Sequence, residues 1–139
     1  MNFAPDQLGL LLHDAARLLR RRFEMRAAHF GLSSAQWRLL VHVLRETRVS
    51  QARLADRMEI EPISVSRLVD RMEQAGWVAR VPDPDDRRVR VIVATEKTQS
   101  LRGQIGGFFD YGGTFSSLKD GQMLAMAGIG DWITGVLQK

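Results

Sequence analysis

Apolar side chains recur at spacings of three and four through residues 6–30. Leu8, Leu11, Leu12, Ala15, Leu18, Leu19, Phe23 and Phe30 fall on one stripe, the pattern of an amphipathic helix. At ~1.5 Å per residue that helix is about 35 Å long, which is long for a small domain. Gly31 is a natural residue for leaving it, because glycine enters the left-handed region without steric cost. Ser33 or Ser34 can cap a second helix that presents Trp37, Leu40, Val41 and Leu44 on one face. Ser50 can cap a short third helix carrying Leu54, Ala55 and Met58. Pro62 suits the first turn of a fourth, where its missing N–H has no partner to lose. Val65, Leu68, Val69 and Met72 follow at i, i+3, i+4 and i+7, and Gly76 ends the helix.

The period then shortens to two. Trp77–Val81 and Arg88–Ala94 are short and rich in β-branched residues, with Val89, Val91 and Val93 alternating in the second. Between them Pro82-Asp83-Pro84-Asp85-Asp86-Arg87-Arg88 has the turn chemistry of a hairpin tip. From Thr95 helical spacing returns through Leu101, Ile105, Phe108 and Phe109, and later through Leu118, Met126, Ile129, Trp132, Ile133 and Val136. The predicted order is four helices, a hairpin, then about two more helices. This is a mainly α fold with a small β-hairpin wing, a winged helix-turn-helix with a further helical region.

Composition narrows the class without changing that outline. A chain of 139 residues with 45% hydrophobic and 26% charged residues fits one ordinary globular domain. The longest stretch free of Asp, Glu, Lys and Arg is Ala27–Trp37, too short for a membrane span of ~20 apolar residues. The first residues, Met1-Asn2-Phe3-Ala4-Pro5-Asp6, lack the basic start and apolar run of a secretory signal. A soluble, cytoplasmic protein without a membrane partner is the expectation. With no cysteine, disulfides, thiolate metal sites, a cysteine nucleophile and thiol redox sensing are excluded together.

Charge is placed unevenly. Residues 1–100 hold 17 of the 20 basic and 13 of the 16 acidic side chains, so the whole +4 lies there; residues 101–139 hold three of each. Seventeen of the 20 cations are Arg, whose fork binds phosphates and guanine edges in a bidentate manner. With Val65, Leu68, Val69 and Met72 inward, a step of about 100° per residue turns Ile63, Ser64, Arg67, Asp70, Arg71 and Gln74 outward. Ser64, Arg67 and Arg71 can donate to base edges or phosphates, and Ile63 can meet a thymine methyl. The helix N-terminus adds free N–H groups for a phosphate.

Several runs resemble the MarR family of bacterial transcription regulators: Leu54-Ala-Asp-Arg-Met58, Ile60-Glu-Pro-Ile-Ser-Val-Ser-Arg-Leu-Val-Asp-Arg-Met-Glu-Gln-Ala-Gly76, Val78-Ala-Arg80, Asp83-Pro-Asp-Asp-Arg-Arg88 and Thr95-Glu-Lys97. Ser34-Ala-Gln-Trp37 and the Arg-rich first helix are similar to that family as well, and the resemblance runs through residues 6–100. It implies a homodimer with intertwined first and last helices, a recognition helix in the major groove of double-stranded DNA and a wing in the minor groove. It also implies, for many members, release from DNA by a small anionic aromatic ligand. Carried over by position, Ser64, Ser66, Arg67 and Arg71 face DNA and Glu61 lies at the start of the recognition helix. Asp86 and Arg88 match an Asp-x-Arg in which the carboxylate orients the arginine entering the minor groove, and Arg87 meets a phosphate. The narrow groove's negative potential favours such a guanidinium.

The corresponding organisation is a dimerisation helix over 1–32, a DNA-binding lobe over 33–96 and dimerisation helices over 97–139, intertwined as one domain. The last region departs from the family pattern. It holds nine of the chain's 12 glycines and no glutamate, and each glycine inside a helix costs ~1 kcal/mol relative to alanine. Gly106-Gly107 and Gly112-Gly113 are candidates to break the fifth helix or to permit close packing.

His13, His29 and His42 lack the spacing of a helical metal pair, and no hydrolytic triad or phosphate loop can be assembled, so no metal, cofactor or enzyme activity is expected. His13, Arg17, Trp37 and His42 are candidates to line a ligand cleft between dimer helices and DNA-binding lobe, although Trp37 also suits the core. Some members of the family sense peroxide through a cysteine near the first helix, a route closed to this chain. The competing class is a winged-helix module that binds protein and answers to no ligand. Salt-dependent retention of preferred DNA fragments separates the two.

Overall fold

Two serines begin the helices that carry the site. The Ser33 hydroxyl accepts from the Gln36 N–H (3.2 Å) while the Gln36 side-chain oxygen accepts from the Ser33 N–H (2.9 Å), a reciprocal cap. Ser50 accepts from the Arg53 N–H at 3.1 Å. The computed structural model describes residues 4–106 and 119–139. Along it run α1 (Pro5–His29), α2 (Ser34–Glu46), α3 (Gln51–Met58), α4 (Pro62–Gln74), β1 (Val78–Pro82), β2 (Arg90–Ala94), α5 (Glu96–Ser100), α6 (Arg102–Gly106) and α7 (Asp120–Leu137). Gly31 (φ 70°) and Gly76 (φ 82°) take the left-handed conformations that end α1 and α4.

The core sits around α2, which buries Trp37, Leu39, Leu40, Val41, Val43 and Leu44 and so has little outer face. Leu54 and Met58 of α3, Val65, Val69 and Met72 of α4, and Ile92 of β2 close around it, all at 2% exposure or less. From α1, Phe23 and Ala27 join this cluster, and from α6, Ile105. The ribbon is antiparallel, in the register Val78↔Ala94 through Pro82↔Arg90. Val49 adds a single bridge to Ile92, with hydrogen bonds of 3.2 and 2.7 Å each way, which fastens the wing to the loop before α3.

A break after the wing falls at Leu101, where α5 gives way to α6. The Ser100 hydroxyl donates to the Lys97 carbonyl at 2.7 Å, the acceptor that the Leu101 N–H would use in a continuing α-helix, and Leu101 N–H donates to Thr98 instead. Gly107, Phe108, Phe109, Gly112, Gly113 and Leu118 lie outside the described residues, and both expected glycine breaks involve them.

Two helices leave apolar stripes in solvent. On α1 these are Leu8, Leu11, Leu12 and Leu18; on α7, which buries no side chain, they are Met126, Ile129, Trp132 and Val136. Among the described residues no helix is long and apolar enough to cross a membrane.

Candidate nucleic-acid interface

Helix α4 follows α3 through a turn of three residues in which Glu59 adopts a left-handed conformation (φ 54°). The Ile60 N–H closes this turn onto the Ala55 carbonyl at 3.2 Å. With Val65, Val69 and Met72 held in the core, Ile63 is 61% exposed, and Glu61, Ser64, Arg67 and Arg71 are exposed with it. Glu61 occupies the N-cap position, yet its side chain makes no capping hydrogen bond. Its carboxylate is therefore not spent on the helix. Ser66 is set apart from the others: it is half-buried, on the flank toward the wing.

That flank is organised by Arg80 of β1, which the motif Val78-Ala-Arg80 included without giving it a role. Its guanidinium, 16% exposed, lies 2.7 Å from Asp70 and 3.1 Å from Glu73. It also donates to the Gln51 side chain of α3 at 2.9 Å and to the Ser66 carbonyl at 3.3 Å. Its backbone N–H donates to Glu73 at 2.9 Å. These bonds from the Arg80 backbone and side chain hold the Glu73 carboxyl below the usual carboxylate range. The signal available in sequence was the acid pair at i and i+3 late in α4, with an arginine two residues into the following strand.

Two further sets of contacts fix the lobe. Glu46 at the end of α2 pairs with Arg53 (2.6 Å) and Arg57 (3.0 Å) of α3, and those bonds, Arg53 first, lower its pKa. At the far end of α4, Lys97 donates to the Ala75 carbonyl at 3.3 Å and lies 4.0 Å from the centre of the Trp77 ring. Thr95 and Thr98 donate to the Gly76 and Trp77 carbonyls, both at 2.6 Å. Side chains at the start of α5 thus meet the carbonyls at and just beyond the helix end, with a cation near the negative end of the α4 dipole.

At the wing tip the Asp86 carboxylate accepts from the Arg88 backbone N–H at 3.1 Å, so it fixes the turn that carries Arg88 by gripping its main chain. Asp83 does the same for Asp85 at 3.0 Å. Arg87, Arg88, Val89 and Arg90 are all exposed. The candidate interface thus combines the outward arc of α4 with an Arg-tipped hairpin.

The expected ligand residues fall in different environments. Trp37 is fully buried and packs on Phe30, with ring centroids 4.9 Å apart, so it is a core residue and not a cleft wall. His13 and Arg17 are exposed on α1, Arg17 lying 3.7 Å from Asp14. His42 is half-buried on α2; burial, then the charge of Arg38, lowers its pKa and favours the neutral ring. Among the described residues no cluster of three or more His, Asp or Glu could hold a metal ion.

A protein-family model described as "MarR family" matches residues 30–89. The chain is 27% identical over 105 residues to the uncharacterized HTH-type transcriptional regulator YwoH of Bacillus subtilis (strain 168), covering 76% of each chain. It spans 51% and 65% of the length of two further curated regulators. Among solved structures, CouR from Rhodococcus jostii RHA1 bound to p-coumaroyl-CoA is 28% identical with a TM-score of 0.74, covering 92% of both chains. A mutant of MarR from E. coli, complexed with operator DNA, has a TM-score of 0.68 at 19% identity, covering 91% of this chain and 92% of that one, a likeness of fold.

Proposed function

We propose that this chain, which matches the MarR family model over residues 30–89 and is similar to curated HTH-type transcriptional regulators, binds double-stranded DNA sequence-specifically as a homodimer and represses by occupying a pseudo-palindromic operator. One observation carries this reading: α4 exposes Ile63, Ser64, Arg67 and Arg71 on one arc beside a hairpin tipped with Arg87 and Arg88. Donors that fork to guanine and a methyl-seeking apolar group on a rigid helix are what major-groove readout requires. The complex of the E. coli MarR mutant with operator DNA supports it by analogy of fold.

Dimerisation is inferred from the apolar stripes. Leu11 is 54% exposed on α1 and Trp132 65% on α7, in helices that a second copy can cover. Two-fold symmetry then requires inverted half-sites about one helical turn apart, ~10 bp. Light scattering should return a dimer, and selection from a random DNA pool should return a dyad-symmetric site held in a salt-dependent manner. A monomer, or a selected site without dyad symmetry, overturns the dimeric reading. Absence of any salt-dependent DNA retention favours the protein-binding module.

Regulation is proposed to come from an anionic aromatic ligand seated between the dimer helices and the DNA-binding lobe, near His13, Arg17 and His42. The p-coumaroyl-CoA complex of CouR supports that class, an aromatic acyl group on an anionic carrier. A ligand that prefers the conformation unable to span both half-sites must weaken DNA affinity by the same factor. Salicylate at constant ionic strength is expected to lower affinity for the selected site, while mild peroxide leaves it unchanged because no cysteine can form a sulfenate or disulfide. Loss of binding under peroxide that thiol reverses refutes this mode of control.

A further inference from the structure

Helix α4 is zoned around its circumference. At about 100° per residue, Ser64, Arg67 and Arg71 form a basic arc, while Ser66, Asp70 and Glu73 form a flank turned toward the wing. Asp70 lies only about 60° around the axis from Arg67 and at the i, i+3 spacing at which an ion pair forms readily. Left to itself the Asp70 carboxylate would tie up Arg67, or stand as a like charge facing phosphate. The structure has neither arrangement. Asp70, itself 64% exposed, is turned to Arg80 at 2.7 Å, and among the described residues neither Arg67 nor Arg71 enters an ion pair.

Resting on the DNA-binding reading above, we propose that Arg80 is a positioning residue that draws the Asp70 carboxylate off the DNA-facing arc and so keeps Arg67 and Arg71 available to DNA. The guanidinium suits this task because it is fixed elsewhere. Its Nε is held by Gln51, one Nη by Glu73, and the other by the Ser66 carbonyl as well as Asp70. A lysine would offer a single flexible point charge in place of that fork. With four of its five side-chain N–H groups committed and 16% of the side chain exposed, Arg80 acts on DNA through Asp70 and not by touching a phosphate.

The test is a double-mutant cycle read by fluorescence anisotropy, on a labelled duplex carrying the site that the wild-type chain selects. Arg80→Met should lower affinity on the order of tenfold, and Asp70→Asn added to it should regain most of that loss. Asp70→Asn alone should change affinity by less than about twofold, since its charge is already masked. A double variant as weak as Arg80→Met overturns the proposal, because a phosphate contact or a purely structural role gives no rescue. A gain on the order of tenfold from Asp70→Asn in the wild-type background overturns it too, because the charge would then not be masked, and this arm decides the matter if circular dichroism finds Arg80→Met unfolded. Failure of the wild type to bind any duplex is a separate result that removes the DNA-binding reading itself.

Discussion

Trp37→Ala is expected to destabilise the protein by about 3–5 kcal/mol, the usual cost of removing a large aromatic side chain from a core. The indole is fully buried on the helix at the centre of the lobe and packs against Phe30 with its ring tilted by 31°. Leu40, Val43 and Leu44 of the same helix, Leu54 of α3 and Val69 of α4 belong to the same buried cluster, so backbone collapse cannot readily refill the space. Against a total stability of about 5–15 kcal/mol for an ordinary domain, the loss is a large fraction of the whole. Urea unfolding followed by circular dichroism measures it, and Trp37→Phe should recover much of it. A transition midpoint unmoved by Trp37→Ala would return the indole to a solvent-facing cleft, the placement that the sequence also allowed.

That residue marks where local pattern stops being informative. Periodicity placed Trp37 on the apolar face of α2 but left open whether the face met core or cleft, because burial depends on what packs against it. Leu39 shows the same limit: it lies outside the predicted stripe and is buried, since α2 is surrounded on nearly all sides. The serine caps and the glycine exits were legible because they act within a few residues of themselves. Arg80 was not, because its partners come from α3 and α4 and meet its strand only in the folded lobe. Asp86 was half legible. Its pairing with Arg88 followed from the motif, but the partner is the backbone N–H, which makes the bond a matter of turn geometry. The break at Leu101 came from a serine hydroxyl taking a helical acceptor, a competition that glycine counting does not register.

Arg67 and Arg88 are expected to fail in different ways when truncated, and that difference tests the interface as a whole. Arg67 stands exposed on a rigid helix whose core side is locked by Val65, Val69 and Met72, so its fork can address one guanine in each half-site. Arg67→Ala should cost ~1–3 kcal/mol on the selected site and relax base preference at a single position per half-site, with a smaller loss on random DNA. Arg88 sits on the wing turn, where Asp86 holds its main chain while its side chain is exposed. A guanidinium so placed reads the width and potential of a minor groove, so Arg88→Ala should weaken binding most when the flanks are A·T-rich and leave base preference in the major groove unchanged. Affinities on four duplexes, combining selected or scrambled half-sites with A·T or G·C flanks, separate the two patterns. Equal losses for Arg67→Ala on selected and random DNA would reduce it to a phosphate contact, because a charge that meets only the backbone carries no sequence information.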